Sequence, residues 1–173
     1  MNVPSVQLLD ADGARAAIEA LSEVLIDCVV GGASVSFMAP LSPARANAFW
    51  ERVALGVARG ERLLLVARNA EGRIDGTVQL LLDLPENQPH RADVAKLLVH
   101  RRARNQGVGE ALMVAAEAAA RDAKRTLLVL DTASDSAERL YHRLGWKLCG
   151  RIPDYALLPG GAPCATTIFY KSV

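Results

Sequence analysis

The chain has 173 residues, 51% of them apolar and 23% charged, with a formal net charge of +1. That length and composition fit one ordinary globular domain over residues 1–173, without linker, repeat or low-complexity segment. The near-zero charge gives no general pull toward nucleic acid or acidic membrane, and no run reaches the roughly 18 apolar residues of a membrane span. With no basic and apolar leader at its start, a cytoplasmic protein with neither of those partners is expected.

In chain order, Val6 to Leu9 alternates as a short strand, and Asp10 or Asp12 can cap the helix that follows. Ile18, Leu21, Leu25 and Cys28 recur at helical spacing as a core-facing stripe, stopped by Gly31-Gly32. Ala33 to Met38 is unusually apolar for a loop, which suits either packing on the core or contact with a substrate. Ser42-Pro43 opens a second helix, with Ala46, Phe49, Trp50 and Val53 facing inward and Gly60 at its end. Arg62 to Arg68 and Ile74 to Leu82 read as an antiparallel hairpin around Asn69-Ala70-Glu71-Gly72.

A loop with Pro85 and Pro89 leads to a central strand, Val94 to Val99, which Asp93 opens. A basic turn, Arg104-Asn105-Gln106-Gly107-Val108-Gly109, then feeds a helix of about four turns. Thr126 to Asp131 is a further strand, so strand, helix and strand imply a parallel pair. Ser134 or Asp135 caps a helix from Ala137 to Leu144, closed by Gly145. Trp146 to Ile152 and Ala165 to Lys171 are the last strands, with Pro153 to Pro163 a flexible loop between them. The expected fold is α/β: a mixed sheet with helices on both faces, antiparallel early and parallel across the middle.

The turn is where chemistry concentrates. A strand entering a helix through glycine points several backbone N–H groups at one place, backed by the positive end of the helix dipole. Arg104 adds a charge that can fork onto a phosphate, and Gly107 and Gly109 admit close approach. With Arg101 and Arg102 nearby, the local charge suits a small polyanion. Two nucleotide-binding patterns fail on residues: the dinucleotide fingerprint needs glycine where Leu112 stands, and the P-loop needs lysine where Glu110 stands. No cysteine pair has CxxC spacing, and the three histidines lack ligand spacing, so no metal is expected. Cys28, Cys149 and Cys164 read as free thiols, with Cys149 a buried structural one.

What remains, Arg-x-x-Gly-x-Gly after Leu97-Leu98-Val99, resembles the acyl-coenzyme-A-binding motif of the GCN5-related N-acetyltransferase (GNAT) family. Ala137-Glu138-Arg139-Leu140-Tyr141-His142-Arg143-Leu144-Gly145-Trp146 is similar to that family's A-x-x-L-Y-x-x-x-G-F segment. Further segments, Gly31 to Met38, Arg91 to Val94, Leu127 to Thr132 and Pro153 to Tyr155, look like a branch of the family that acetylates a small amino-acid-like toxin. The resemblance implies a GNAT fold whose central parallel strands splay apart, with acetyl-coenzyme A (acetyl-CoA) as co-substrate and a small amine as acceptor. It implies that Leu97, Leu98, Val99, Arg104, Asn105, Gln106, Gly107, Val108, Gly109, Glu110 and Ser134 hold the cofactor. An oligomeric state of monomer or homodimer is left open.

Amine acetylation dictates the remaining residues. An alkyl amine near pH 7 is protonated and must lose a proton before it attacks, which calls for a general base. Asp93 and Asp131, at the ends of neighbouring strands, are the candidates, and either could instead bind the ammonium. The departing thiolate needs an acid, and the family motif puts Tyr141 there. The oxyanion needs a donor, which the Leu97 backbone N–H would be. Two rivals stand beside this reading: acetylation of a protein amino terminus or lysine, and a sensor that binds acyl-CoA without turnover.

Overall fold

The structure is a computed structural model that describes residues 4–173. Among these residues, seven strands form one mixed sheet: β1 (Ser5–Leu9), β2 (Arg62–Arg68), β3 (Ile74–Leu81), β4 (Arg91–Val99), β5 (Leu127–Thr132), β6 (Lys147–Leu157) and β7 (Pro163–Ser172). Their spatial order is β1-β2-β3-β4-β5-β7-β6. Every neighbouring pair is antiparallel except β4 and β5, which are parallel. Five helices flank the sheet: α1 (Ala11–Ala16), α2 (Ile18–Val30), α3 (Pro43–Ala58), α4 (Val108–Asp122) and α5 (Asp135–Arg143).

The caps that the sequence offers are used. The Asp10 side chain accepts from the Gly13 N–H, and Ser42 caps α3 by accepting from the Arg45 N–H ahead of Pro43. The expected first helix is divided at Ala17, so that α1 packs on α3 and β1 while α2 reaches β3 and β4.

Two apolar layers follow from strand alternation. Leu64 and Val66 of β2 face α1, α2 and α3 with Leu21, Leu25 and Trp50, whereas Leu65 and Ala67 face α4 with Leu112 and Met113. Covered on both faces, β2 reads as a nearly unbroken apolar run, and β3 is buried almost throughout although it carries Asp75, Thr77 and Gln79. Each large side chain buried this way stabilises the fold by roughly 1.5–3 kcal/mol. The second layer also holds a polar tie. Glu117 of α4 accepts from Trp146 Nε1 at 3.0 Å and from Lys171 Nζ of β7 at 2.7 Å.

Two irregularities in β4 shape the centre. Thr77 pairs with Leu98 and Gln79 with Ala95, so Val78 alone stands opposite Lys96 and Leu97. This is a β-bulge, with Lys96 at φ 53°. It reverses the alternation: Val94 belongs to the α4 layer and Leu98 to the α1–α3 layer, although both are even-numbered. The parallel pairing of β4 with β5 covers only Arg91–Asp93 against Leu127–Val129. Beyond that point the strands part.

Two expectations need correction. The central strand starts at Arg91, so Asp93 is its third residue rather than its opening one. The segment expected as a flexible loop is mostly sheet: β6 continues through Pro153 to Leu157, and only residues 158–162 connect it to β7. A register slip between Ile152 and Ala156 accommodates Pro153 and Asp154, the latter at φ 49°. Because β6 is an edge strand, proline there breaks no ladder on the open side.

Candidate active site

Where β4 and β5 separate, a cavity of about 640 Å³ opens between them, bounded by the end of α2, the start of α4 and one face of α5. At its floor, Asn105 (φ 60°) and Gly107 (φ 81°) turn the chain through left-handed conformations into α4. No side chain caps this helix, so the first N–H groups, those of Val108, Gly109 and Glu110, have no intrahelical partner. All three residues line the cavity. A Cβ on Gly109 would stand 3.2 Å from Leu140, so glycine also lets α5 close onto α4.

Arg104 lines the same cavity, its Nε donating to the Val99 carbonyl at 3.2 Å and its guanidinium beside the Cys28 thiol. The other two arginines of the basic cluster do not line the cavity and are paired with carboxylates of the protein. Arg101 is bonded to Asp27 through its backbone N–H (2.8 Å) and its Nε (2.9 Å). Arg102 donates to Asp75 at 2.6 Å and to Glu23. Both anchor the turn to α2 and β3. Burial raises the Asp27 carboxyl, but the two Arg101 hydrogen bonds outweigh it and hold the group below its usual range.

Of the residues assigned to the cofactor, Leu97, Leu98, Val99, Arg104, Asn105, Gly107, Val108, Gly109, Glu110 and Ser134 line this cavity. Gln106 does not: its side chain turns back to donate to the Arg102 carbonyl at 2.9 Å. Ser134 is the N-cap of α5, accepting from the Ala137 N–H at 3.4 Å. Arg139 and Arg143 line the cavity from α5, with Arg143 3.8 Å from Glu110. They were not anticipated, although their i, i+4 spacing on a helix that also carries Tyr141 was the available signal.

A second cavity, of about 350 Å³, lies on the other side of Asp131. Its walls are Ser34, Ser36, Phe37 and Met38 of the loop after α2, Tyr155 to Leu157 of β6, and Ala165 and Thr166 of β7. Ser34, Ser36, Asp131, Thr132 and Ala133 line both cavities, so the two meet there. Both readings of the apolar loop hold: Ala33, Val35 and Phe37 pack on the core while Ser34, Ser36, Phe37 and Met38 face the cavity. Three contacts fix this roof: Ser34 Oγ to the Leu157 carbonyl (3.3 Å), Cys164 Sγ to Ser34 Oγ (3.6 Å), and the Ala39 N–H to the Pro159 carbonyl (3.0 Å).

At the junction, Asp131 is exposed to the cavities and accepts from Thr166 Oγ1 at 2.6 Å, which orients its carboxylate. Tyr141 reaches the first cavity from α5, 4% exposed, its ring against Trp146 and Phe169. Burial, and then the Asp131 charge, push its hydroxyl well above the usual tyrosine range, so it stays a protonated donor. Asp93 is level with Val129 of β5, two residues short of Asp131, and lines neither cavity. It is paired with the Arg91 guanidinium. Burial raises the Asp93 carboxyl against the pull of Arg91, and the Asp131 charge adds to the rise.

Lys96 was missed. The bulge turns it into the first cavity, where Nζ donates to Ser36 Oγ at 3.0 Å and lies 5.9 Å from the centre of the Phe49 ring. A lysine inside an apolar strand was the only sequence signal. Cys28 is buried beside Val99, but Cys149, expected to be buried, is exposed on edge strand β6. Among the described residues, no group of three or more His, Cys, Asp or Glu side chains is placed to hold a metal. None of their helices is long and apolar enough to cross a membrane.

An uncapped helix start behind a glycine turn, at a breach between parallel strands, defines the class. The domain model of the GNAT acetyltransferases matches residues 60–148, half of the chain, and the chain belongs to that family of N-acetyltransferases. Solved structures share the fold over nearly the whole length. A phosphinothricin acetyltransferase from Sinorhizobium meliloti, in complex with acetyl-CoA, is 16% identical with a TM-score of 0.78, covering 98% of this chain and 88% of that one. A ribosomal-protein-alanine N-acetyltransferase from Brucella melitensis is 20% identical with a TM-score of 0.79, covering 98% and 99%. An N-acetyltransferase from Staphylococcus aureus is 13% identical with a TM-score of 0.80, covering 98% of each chain.

Proposed function

We propose that the protein transfers the acetyl group of acetyl-CoA directly to the amine of a small amino-acid-like molecule, with both substrates bound at once. The observation that carries this reading is Asp131, the carboxylate at the meeting point of a long cleft and a smaller roofed cavity. The cleft suits a phosphate-bearing group: bare helix N–H groups, a turn with Gly107 in a conformation that a side chain would strain, and Arg104 beside it. Val108, Gly109, Glu110 and Arg104 would hold the pyrophosphate, and the backbone of Leu97 and Val99 would pair with the acyl arm where β5 has withdrawn.

In the smaller cavity Asp131 receives the ammonium and takes its proton, with Thr166 keeping the carboxylate in place. Asp93, whose proton affinity is raised, stands behind it on the neighbouring strand. The Leu97 N–H supports negative charge on the carbonyl oxygen during attack, and the Tyr141 hydroxyl protonates the departing sulfur.

The roof favours a small acceptor, because the loop after α2 is tied to the β6–β7 hairpin across the cavity. A protein acceptor needs an open groove at that place. The finer identity rests on Gly31 to Met38, Arg91 to Val94, Leu127 to Thr132 and Pro153 to Tyr155, which look like the tabtoxin resistance protein of this family. That protein acetylates the amine of a small amino-acid-like toxin, so a role in toxin or antibiotic resistance belongs to the proposal.

Thiol release from acetyl-CoA would test it, with amino acids, β-lactam-like amino acids, polyamines, aminoglycosides and a peptide with a free amino terminus as acceptors. Saturable turnover with amino-acid-like amines is the expected result. Preference for the peptide would establish the protein-acceptor reading, and binding of acetyl-CoA without any turnover would favour the sensor.

A further inference from the structure

We propose that Lys96 binds the carboxylate of the acceptor, so that the protein selects an amine carrying an acid group near the nitrogen. The inference rests on the small-amine reading above and names what distinguishes the preferred amines.

The half-buried Lys96 has no carboxylate within 4.0 Å of its nitrogen among the described residues. Its polar partner is the neutral Ser36 hydroxyl. The one carboxylate whose field reaches it is Asp131, while burial pulls its proton affinity down. An ammonium taken from water and left without a counter-ion costs free energy, and an anionic ligand relieves that cost. The residue is also held in place. The bulge gives it a left-handed backbone, Ser36 bonds its tip and the Phe49 ring lies against it. Ser36, the hydroxyl it touches, lines both cavities. Lys96 itself lines the larger cleft and not the smaller cavity, so a fixed cation stands on the cleft side of the junction, with the Asp131 carboxylate at the junction. Such a pair matches a zwitterion: ammonium toward Asp131, carboxylate toward Lys96. A polyamine or an aminoglycoside would instead meet Lys96 with like charge.

The test compares acceptors that differ only in the acid group: the common amino acids, each beside its amide, with wild type and Lys96→Met. The readouts are kcat and KM for the acceptor, the acetyl-CoA Kd and the thermal midpoint. Wild type is expected to prefer the acids in kcat/KM, and Lys96→Met to lower that preference about 10- to 100-fold, mostly through KM. Lys96→Arg should restore part of the preference, and because Lys96 lines the larger cleft, a loss of acetyl-CoA affinity in Lys96→Met with the preference for acids intact would place the lysine on the cofactor and overturn the assignment. Equal use of acids and amides by wild type would overturn the assignment and leave the small-amine reading standing. An equal loss of kcat on both in the variant would instead make Lys96 a stabiliser of the reacting oxygen. A matching fall in the thermal midpoint would reduce it to a tie between β4 and the Ser36 loop. Turnover with neither acids, amides nor simple amines would overturn the small-amine reading itself.

Discussion

Tyr141 can protonate a leaving group only while it keeps its own proton, and burial secures that. Tyr141→Phe should therefore lower kcat on the order of 10²-fold with little change in acetyl-CoA affinity. The same shift has a stability signature. A tyrosine whose folded pKa lies above its ordinary 10.0 binds its proton more tightly when folded. Its contribution is complete below pH 10.0 and is lost as the pH rises above it. Denaturant unfolding between pH 8 and 11 should thus fall less steeply in Tyr141→Phe than in wild type, by up to about 1.4 kcal/mol per pH unit. Asp131→Asn removes the proton acceptor but keeps the shape that Thr166 holds, so turnover should drop by roughly 10² with acetyl-CoA binding intact. Unchanged turnover would take Asp131 out of the mechanism. Asp131 and Tyr141, which the structure places at the cavities, were singled out from a strand end and from the family's A-x-x-L-Y-x-x-x-G-F segment. Lys96 was not, because a bulge exchanges the faces of a strand and leaves the pattern of residue types unaltered.

In the proposed reading, the turn and α4 form the unit on which cofactor binding depends. Arg104→Ala should weaken acetyl-CoA by roughly 1.5–3 kcal/mol, measured by calorimetry, as one charged hydrogen-bonding partner is lost. Equal binding would mean that the turn does not hold phosphate. A less obvious requirement lies beneath the helix. A Cβ on Gly76 would stand 2.9 Å from the Leu98 carbonyl and 3.0 Å from Leu112 and Val108. Gly76→Ala must push β3 from β4 or lift α4 off the sheet, and should cost about 1–3 kcal/mol in denaturant unfolding. The helix itself was readable from its glycine entry and unbroken Ala, Leu and Met. That Arg101 and Arg102 bind the body of the protein was not readable, since Asp27, Asp75 and Glu23 lie on other elements, distant in sequence.

Across the whole molecule, Glu117 ties α4 to the last strand by bonding both Trp146 and Lys171. Glu117→Ala leaves the Lys171 ammonium only partly exposed and facing no carboxylate, and should lower stability by about 3 kcal/mol. Glu117→Gln, which can still accept from Trp146, should lower it less. The two-layer plan was visible in the sequence because helical stripes and paired strands are local patterns. The length of the β6–β7 hairpin was hidden by Pro153, which an edge strand tolerates, and by Pro163, which stands at the first position of β7.

The roof of the smaller cavity joins positions far apart in the chain, Ser34 to Leu157 and Cys164, and Ala39 to Pro159. Apart from Leu158, every residue lining the larger cleft lies between Cys28 and Arg143. On the ribosome, therefore, the residues of the larger cleft are nearly all made before the first of Tyr155, Ala156, Leu157, Ala165 and Thr166 appears. The half of the site proposed to tell one amine from another is completed only after the cleft has been made.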